Sequence, residues 1–397
     1  MEFDFNERID RSKTISIKWS PEQLEKMYGE RDIIPMGIAD MDLKTAPCVS
    51  EAICRRAAHE TYGYGYASGE FLSSCAEWQR RRHGWAVEPE WITYTPGVNM
   101  ALVCAVEMYT QPGDGVIIQT PVYYPYFDYV RGTGRHIAAN PLINHDGRYE
   151  MDFGALETLA RRPDVKLMLL CSPHNPVGRV WSREELERVG RICMDNGVML
   201  AVDEIHSDLV YPPNRHIPFA SISEEFAHSC IVCTSPSKTF NLAGLLVSDI
   251  IIPDGKIREA FRAKMAPYYL WPGNFGAAAQ IAAYTQGEAW LDALLGFLDS
   301  NARYVEDFIA GHMPSVRYRR PEGTYLAWLD FRALGMDAGE LWSFMLHEAK
   351  VATDNGAMFG TGDEGVGFQR LNFACPRAQL EAAMGRIYSA LSRRGMC

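Results

Sequence analysis

The chain has 397 residues, 47 % hydrophobic and 22 % charged, so it reads as a globular protein of about two or three domains. Disorder, collagen and a disulfide-stapled mini-protein are excluded. Asp plus Glu (50) outnumber Lys plus Arg (39), and a net charge of -11 repels phosphate backbones and anionic lipid, so no nucleic-acid or membrane partner is expected.

Residues 1–19 show no apolar signal core, and no apolar run approaches the ~18 residues of a membrane helix, which predicts a cytoplasmic protein with its ten cysteines reduced. Residues 1–47 lack a strand–helix rhythm and are assigned to the N-terminal part of a small α+β domain. Residues 48–284 form the large domain, and 285–397 the C-terminal part of the small one. The triplet Arg80-Arg81-Arg82 reads as a solvated helix face.

Between about 90 and 252, short apolar runs predict strands at 91–95, 116–119, 166–171, 198–202, 230–234 and 246–252, each followed by a turn and a stretch of helical length. Continuous apolar strands are buried on both faces, so the fold class is α/β with a mainly parallel sheet. One unit is legible in detail. The run 166–171 leads into a proline-rich loop, 172–178; Ser182-Arg-Glu-Glu185 is a capping box opening a helix, and Gly197 closes it. The next strand ends in Asp203-Glu204, so polar residues stand at the carboxyl ends of strands, where open α/β sheets bind ligands. Beyond 285, helical patterns alternate with single strands at 324–331 and 367–373.

Some motifs are set aside. Cys230 and Cys233 lie inside a strand, where thiols pack as small hydrophobes. Gly360-Thr-Gly-Asp-Glu-Gly365 has two carboxylates that would repel a pyrophosphate and reads as a flexible loop. The ten histidines show no metal-ligand spacing, so no metal is expected.

Lys238 follows a buried strand inside an apolar stretch, Ser235-Pro-Ser-Lys-Thr-Phe-Asn-Leu-Ala-Gly244. Desolvation there lowers its pKa and suits it to form an imine; the alternative is a lysine reaching out to solvent. Asp203 ends the central strand, where a buried carboxylate needs a cation, and a pyridinium nitrogen is one such partner. Asn175 stands in the proline-bracketed loop, positioned to bond a ring oxygen. Thr95-Pro-Gly-Val-Asn-Met100 joins a strand to a helix, a backbone anion site suited to phosphate.

With Asn175-Pro-Val-Gly178, Asp203-Glu-Ile-His206, Ser235-x-x-Lys238 and Arg370-Leu-Asn-Phe373 in this order, the chain resembles the fold-type I pyridoxal-phosphate enzymes of the class I/II aminotransferase superfamily over nearly its whole length. Met36-Gly-Ile-Ala-Asp-Met-Asp42 and Tyr62-Gly-Tyr64 are similar to the cystathionine β-lyase-like C–S lyase branch. The resemblance implies a large domain with a seven-stranded sheet, a smaller domain from both termini, and a homodimer sharing active sites.

It also implies roles. Lys238 would hold pyridoxal 5'-phosphate through an imine and later act as the base toward Cα. Asp203 would keep the ring nitrogen protonated, Asn175 would bond the ring hydroxyl oxygen, and Tyr123 would stack on the ring. Gly97, Val98, Asn99, Ser235 and Ser237 would hold the phosphate, Tyr64, with Tyr62 as the alternative, would reach across the dimer interface to the cofactor and take part in catalysis, and Tyr123 and Asn175 would also contact substrate. Arg370, with the backbone of Ala39, would bind the substrate α-carboxylate, a structural salt bridge being the alternative for Arg370. Where the aminotransferases usually carry tyrosine this chain has His206, and where they place a phosphate-binding cation it has Leu246; both departures suit the lyase branch.

The activity expected is β-elimination from cystathionine or other cysteine S-conjugates, giving thiol, pyruvate and ammonia. The alternatives are transamination and a non-catalytic regulator built on the same fold. The site is expected to be locally cationic around Lys238 and Arg370, and the aromatics of 267–275 are expected to line either the leaving-group pocket or the dimer contact.

Overall fold

The computed structural model describes residues 3–397. Seven strands form the main sheet: β1 (Ile92–Thr95), β2 (Gly115–Ile118), β3 (His136–Ala139), β4 (Val165–Cys171), β5 (Met199–Asp203), β6 (Cys230–Thr234) and β7 (Ser248–Ile251). They lie in the order β1-β7-β6-β5-β4-β2-β3. Neighbours are parallel except around β7, which runs antiparallel to both β1 and β6. This is the expected mainly parallel seven-stranded sheet.

Strand alternation divides the core in two. Ile117, Met168, Leu170, Leu200, Val202 and Val232 face one apolar layer, and Val116, Ile118, Leu167, Leu169, Ala201 and Ile231 face the other. Both faces are covered, which is why these strands are apolar throughout rather than at every second position.

The edge strand β3 has no counterpart among the predicted runs. It pairs on one side only, and His136, Ile137 and Ala139 are partly exposed, so its sequence carries no continuous apolar signal.

The helices relevant to the site and to the sequence reading are α1 (Gly69–His83), α2 (Val98–Tyr109) and α3 (Arg183–Asp195). The capping box of α3 is present: Glu185 N–H donates to Ser182 Oγ at 3.2 Å, and Ser182 N–H to Glu185 Oε2 at 2.8 Å. The arginine triplet ends α1, and only Arg80 behaves as a solvated residue, pairing with Glu77 at 2.6 Å. Arg81 instead donates to the carbonyl of Tyr284, and Arg82 pairs with Asp292 at 2.7 Å with its guanidinium 5.9 Å from the Trp78 ring centre. Those two tie α1 to the helices Asn274–Gln286 and Glu288–His312.

A second, antiparallel sheet comprises β8 (Arg317–Tyr318), β9 (Leu326–Asp330), β10 (Asp354–Asn355) and β11 (Phe368–Asn372), in the order β8-β9-β11-β10. Stacked rings of Trp328 and Phe368, 5.0 Å apart, fasten its centre. A short parallel pairing of Ile34–Pro35 with Val351–Ala352 joins the N-terminal segment to the C-terminal one. The loop 360–365 leads into β11, with no helix after it. Among the described residues no helix is long and apolar enough to cross a membrane, and no cluster of metal-ligating side chains occurs.

Candidate active site

A cavity of about 160 Å³ opens at the carboxyl ends of β4, β5 and β6. Eleven of the residues singled out in the sequence line it: Ala39, Gly97, Val98, Asn99, Tyr123, Asn175, Asp203, His206, Ser237, Lys238 and Leu246. It adjoins a larger cavity of about 680 Å³ that also contains Arg370.

Asp203 is buried at the end of β5. Its carboxylate accepts from the Tyr126 hydroxyl at 2.9 Å and from the Ile205 N–H at 3.1 Å, both neutral donors. Burial pushes its carboxyl up to about 6, and those two bonds only partly offset the loss of water. Lys238 donates to the Ala39 carbonyl at 2.7 Å. Burial, reinforced by the positive charge of Arg370, brings its ammonium down to about 8. The lysine is half-buried, and its ammonium is turned onto the Ala39 carbonyl rather than out to solvent. His206 is buried with no partner for Nδ1 among the described residues; burial brings it down to about 3, so the ring stays neutral.

The anion-binding end is made by the turn into α2. Gly97 has φ +95°, a conformation natural to glycine, and it places the first N–H groups of a 12-residue helix on the cavity wall. Ser237 reaches the same wall. Ser235 does not: its hydroxyl accepts from the Ser237 N–H at 3.0 Å and lies 2.6 Å from the Val247 carbonyl, capping the short helix Pro236–Thr239. Leu246 lines the cavity with φ +50° and 57 % exposure. Burial pushes the hydroxyl of Tyr123 up to about 12, so it remains protonated.

Arg370, on β11, is 2 % exposed. It donates to Asn175 Oδ1 at 2.9 Å and to the Gly37 carbonyl at 3.2 Å, and it forms an ion pair with Asp354 from the adjacent strand β10. The structural salt bridge is thus present, while Nε keeps no partner among the described residues. The Ala39 carbonyl accepts from Lys238 and from the Tyr325 hydroxyl at 2.9 Å, so what Ala39 can offer a carboxylate is its N–H.

Tyr64 is 95 % exposed and lies against Trp271, outside both cavities. Tyr268, Tyr269, Leu270 and Trp271 are likewise exposed, and none lines the site cavities. The cationic site expected from the sequence is corrected by the ion pairs. Arg11 binds Asp40 and Asp42 at 2.6 Å each, the buried Lys18 binds Asp42 at 2.9 Å, and Arg370 binds Asp354, so carboxylates match the cations.

Sequence reasoning missed Tyr126, Tyr325 and Asp354. Tyr126 follows Tyr123 by three residues beside a predicted turn, which was a usable signal; the other two sit in short strands and loops with none.

Residues 31–387 match the family described as aminotransferase class I and II. The chain is 43 % identical over 390 residues to cystathionine beta-lyase PatB of Bacillus subtilis (strain 168), covering 98 % of this chain and 100 % of the relative. It is 35 % identical over 392 residues to Protein MalY of Escherichia coli (strain K12), covering 98 % and 99 %. Its fold superposes on cystalysin from Treponema denticola, a structure containing a pyridoxal 5'-phosphate cofactor, with a TM-score of 0.95, 38 % identity and coverage of 99 % and 100 %. By sequence and by fold, the chain belongs to the class I and II aminotransferase family.

Proposed function

We propose that this protein is a pyridoxal-phosphate-dependent C–S β-lyase that converts cystathionine or other cysteine S-conjugates to thiol, pyruvate and ammonia. One observation carries the reading: the cavity presents Asp203, a buried carboxylate with only neutral partners, together with Lys238, an amine brought down to about 8. Such a carboxylate fits a protonated ring nitrogen, and such an amine fits an aldehyde.

When bound, the cofactor supplies an electron sink for charge developing at the substrate Cα. Asp203 holds the proton on the ring nitrogen. Lys238, neutral above about pH 8, takes the Cα proton. Asn175 has its oxygen engaged by Arg370, which leaves its amide N–H to bond the ring hydroxyl oxygen. Tyr123 and the neutral His206 line the cavity and would pack against the ring. The N–H groups at Gly97, Val98 and Asn99 and the Ser237 hydroxyl hold the phosphate, with Ser235 bracing the last. Arg370 and the Ala39 N–H bind the α-carboxylate.

We further propose a homodimer in which Tyr64 enters the partner's site, a reading supported by its exposure beside other exposed aromatics. The division at 47 and 284 is supported by the pairing that brings residues 34–35 to 351–352. A cytoplasmic location is supported by ten free cysteines. Similarity to proteins named as lyases favours elimination over transamination.

The test is incubation of the holoenzyme with L-cystathionine and no added keto acid, following pyruvate and thiol. Both are expected, and Lys238→Ala is expected to abolish both along with the visible absorbance. Product only when a keto acid is supplied overturns the lyase reading, and colour that survives Lys238→Ala unchanged overturns the cofactor assignment.

A further inference from the structure

The larger cavity contains three cationic side chains, and each is already engaged. Arg11 is held by Asp40 and Asp42, Lys238 donates to the Ala39 carbonyl, and Arg370 pairs with Asp354. Asp354 is built into that position. It lies directly across from Arg370 in the β10–β11 register, and it is only 13 % exposed. Gly37 makes the approach possible, because a Cβ there would stand 2.4 Å from Asp354 Oδ1. A side chain at 37 would require Asp354 Oδ1 to shift.

We propose that Asp354 is a specificity residue, a charge filter that admits amino acids whose side chain is neutral or zwitterionic beyond sulfur and turns away those with an anionic one. The proposal rests on the reading of Arg370 as the α-carboxylate site. Arg370 lines the cavity, and its Nη1 carries one hydrogen beyond the one given to Asn175, so it can take one carboxylate while keeping Asp354. The substrate's own ammonium offsets the charge that this carboxylate adds. A second carboxylate finds no free cation among the described residues of the cavity and faces Asp354. At an effective dielectric of about 20 and a separation of roughly 5 Å, that repulsion disfavours binding by about 300-fold. A zwitterionic distal head, as in cystathionine, escapes this because its ammonium can turn toward the carboxylates.

Two matched pairs of compounds test this on the holoenzyme: butyrate against succinate for binding by calorimetry, and S-ethyl-L-cysteine against S-carboxymethyl-L-cysteine for kcat/KM. The wild type is expected to prefer the first of each pair by roughly 30-fold or more, and Asp354→Asn to bring both preferences to within about 3-fold. Equal strengthening of both members by Asp354→Asn overturns the proposal, because Asp354 then only sets how available Arg370 is. A wild type that binds succinate as tightly as butyrate overturns it without any variant. If neither cysteine conjugate is cleaved, the cystathionine assay alone decides the lyase reading, and the binding pair still decides the filter.

Discussion

Lys238 and Asp203 are displaced in opposite directions by one cause. Loss of water disfavours the charged form, so the ammonium falls to about 8 and the carboxyl rises to about 6. A lowered lysine pKa means that the amine is neutral above pH 8 and protonated below it, and only the neutral amine attacks an aldehyde. Cofactor uptake by the apoenzyme, followed by absorbance, is therefore expected to quicken about tenfold per pH unit up to roughly pH 8 and then level off. A rate still climbing at pH 10 would show that Lys238 is solvated. The meeting of Lys238, Asp203 and Asn175 at one cavity was legible in the sequence because each follows a strand whose burial the sequence also reveals. The partner of Arg370 was not. Asp354 reaches it across a strand pair, and whether an arginine on an apolar strand awaits a ligand or holds a neighbour depends on the adjacent strand.

At the scale of elements, the local code works where two faces are buried or where capping chemistry is explicit. The central strands and the capping box of α3 fall in this class. Ser182→Ala removes one half of that box at an exposed helix start, and the expected loss is about 1 kcal/mol in urea unfolding with the site untouched. A loss of lyase activity at unchanged stability would mean that α3 positions the site. Strand β3 marks the limit of the code: it is short, has a neighbour on one side only and is partly exposed, so nothing in its residues distinguishes it from a loop. The arginine triplet shows the converse. Arg81 and Arg82 look like surface charge in sequence, yet they bind a backbone carbonyl and an aspartate on helices more than 200 residues away.

At the scale of the whole molecule, the proposed dimer makes an unusual demand on mixed preparations. Lys238→Ala and Tyr64→Ala variants, each inactive alone, are expected to recover about a quarter of wild-type activity when unfolded together and refolded, because half of the dimers are hybrids carrying one intact site. Mixtures that stay inactive would place Tyr64 outside the partner's site. The N-terminal segment also belongs to this scale. Asp40 and Asp42 are bound by Arg11 and Lys18, and the same short stretch carries Gly37 and Ala39 to Arg370 and Lys238.

The sequence by itself determined six of the seven strands of the sheet, the order of its motifs and the identity of the residues around Lys238, because hydrophobic period and turn chemistry are written locally. Tertiary structure decided the electrostatics. Which carboxylate neutralises Arg370, which donors hold Asp203 and which hydroxyl shares the Ala39 carbonyl are contacts between residues 16 to 286 positions apart. Coulomb energy and desolvation depend on distance and burial, and neither quantity exists until those segments are brought together.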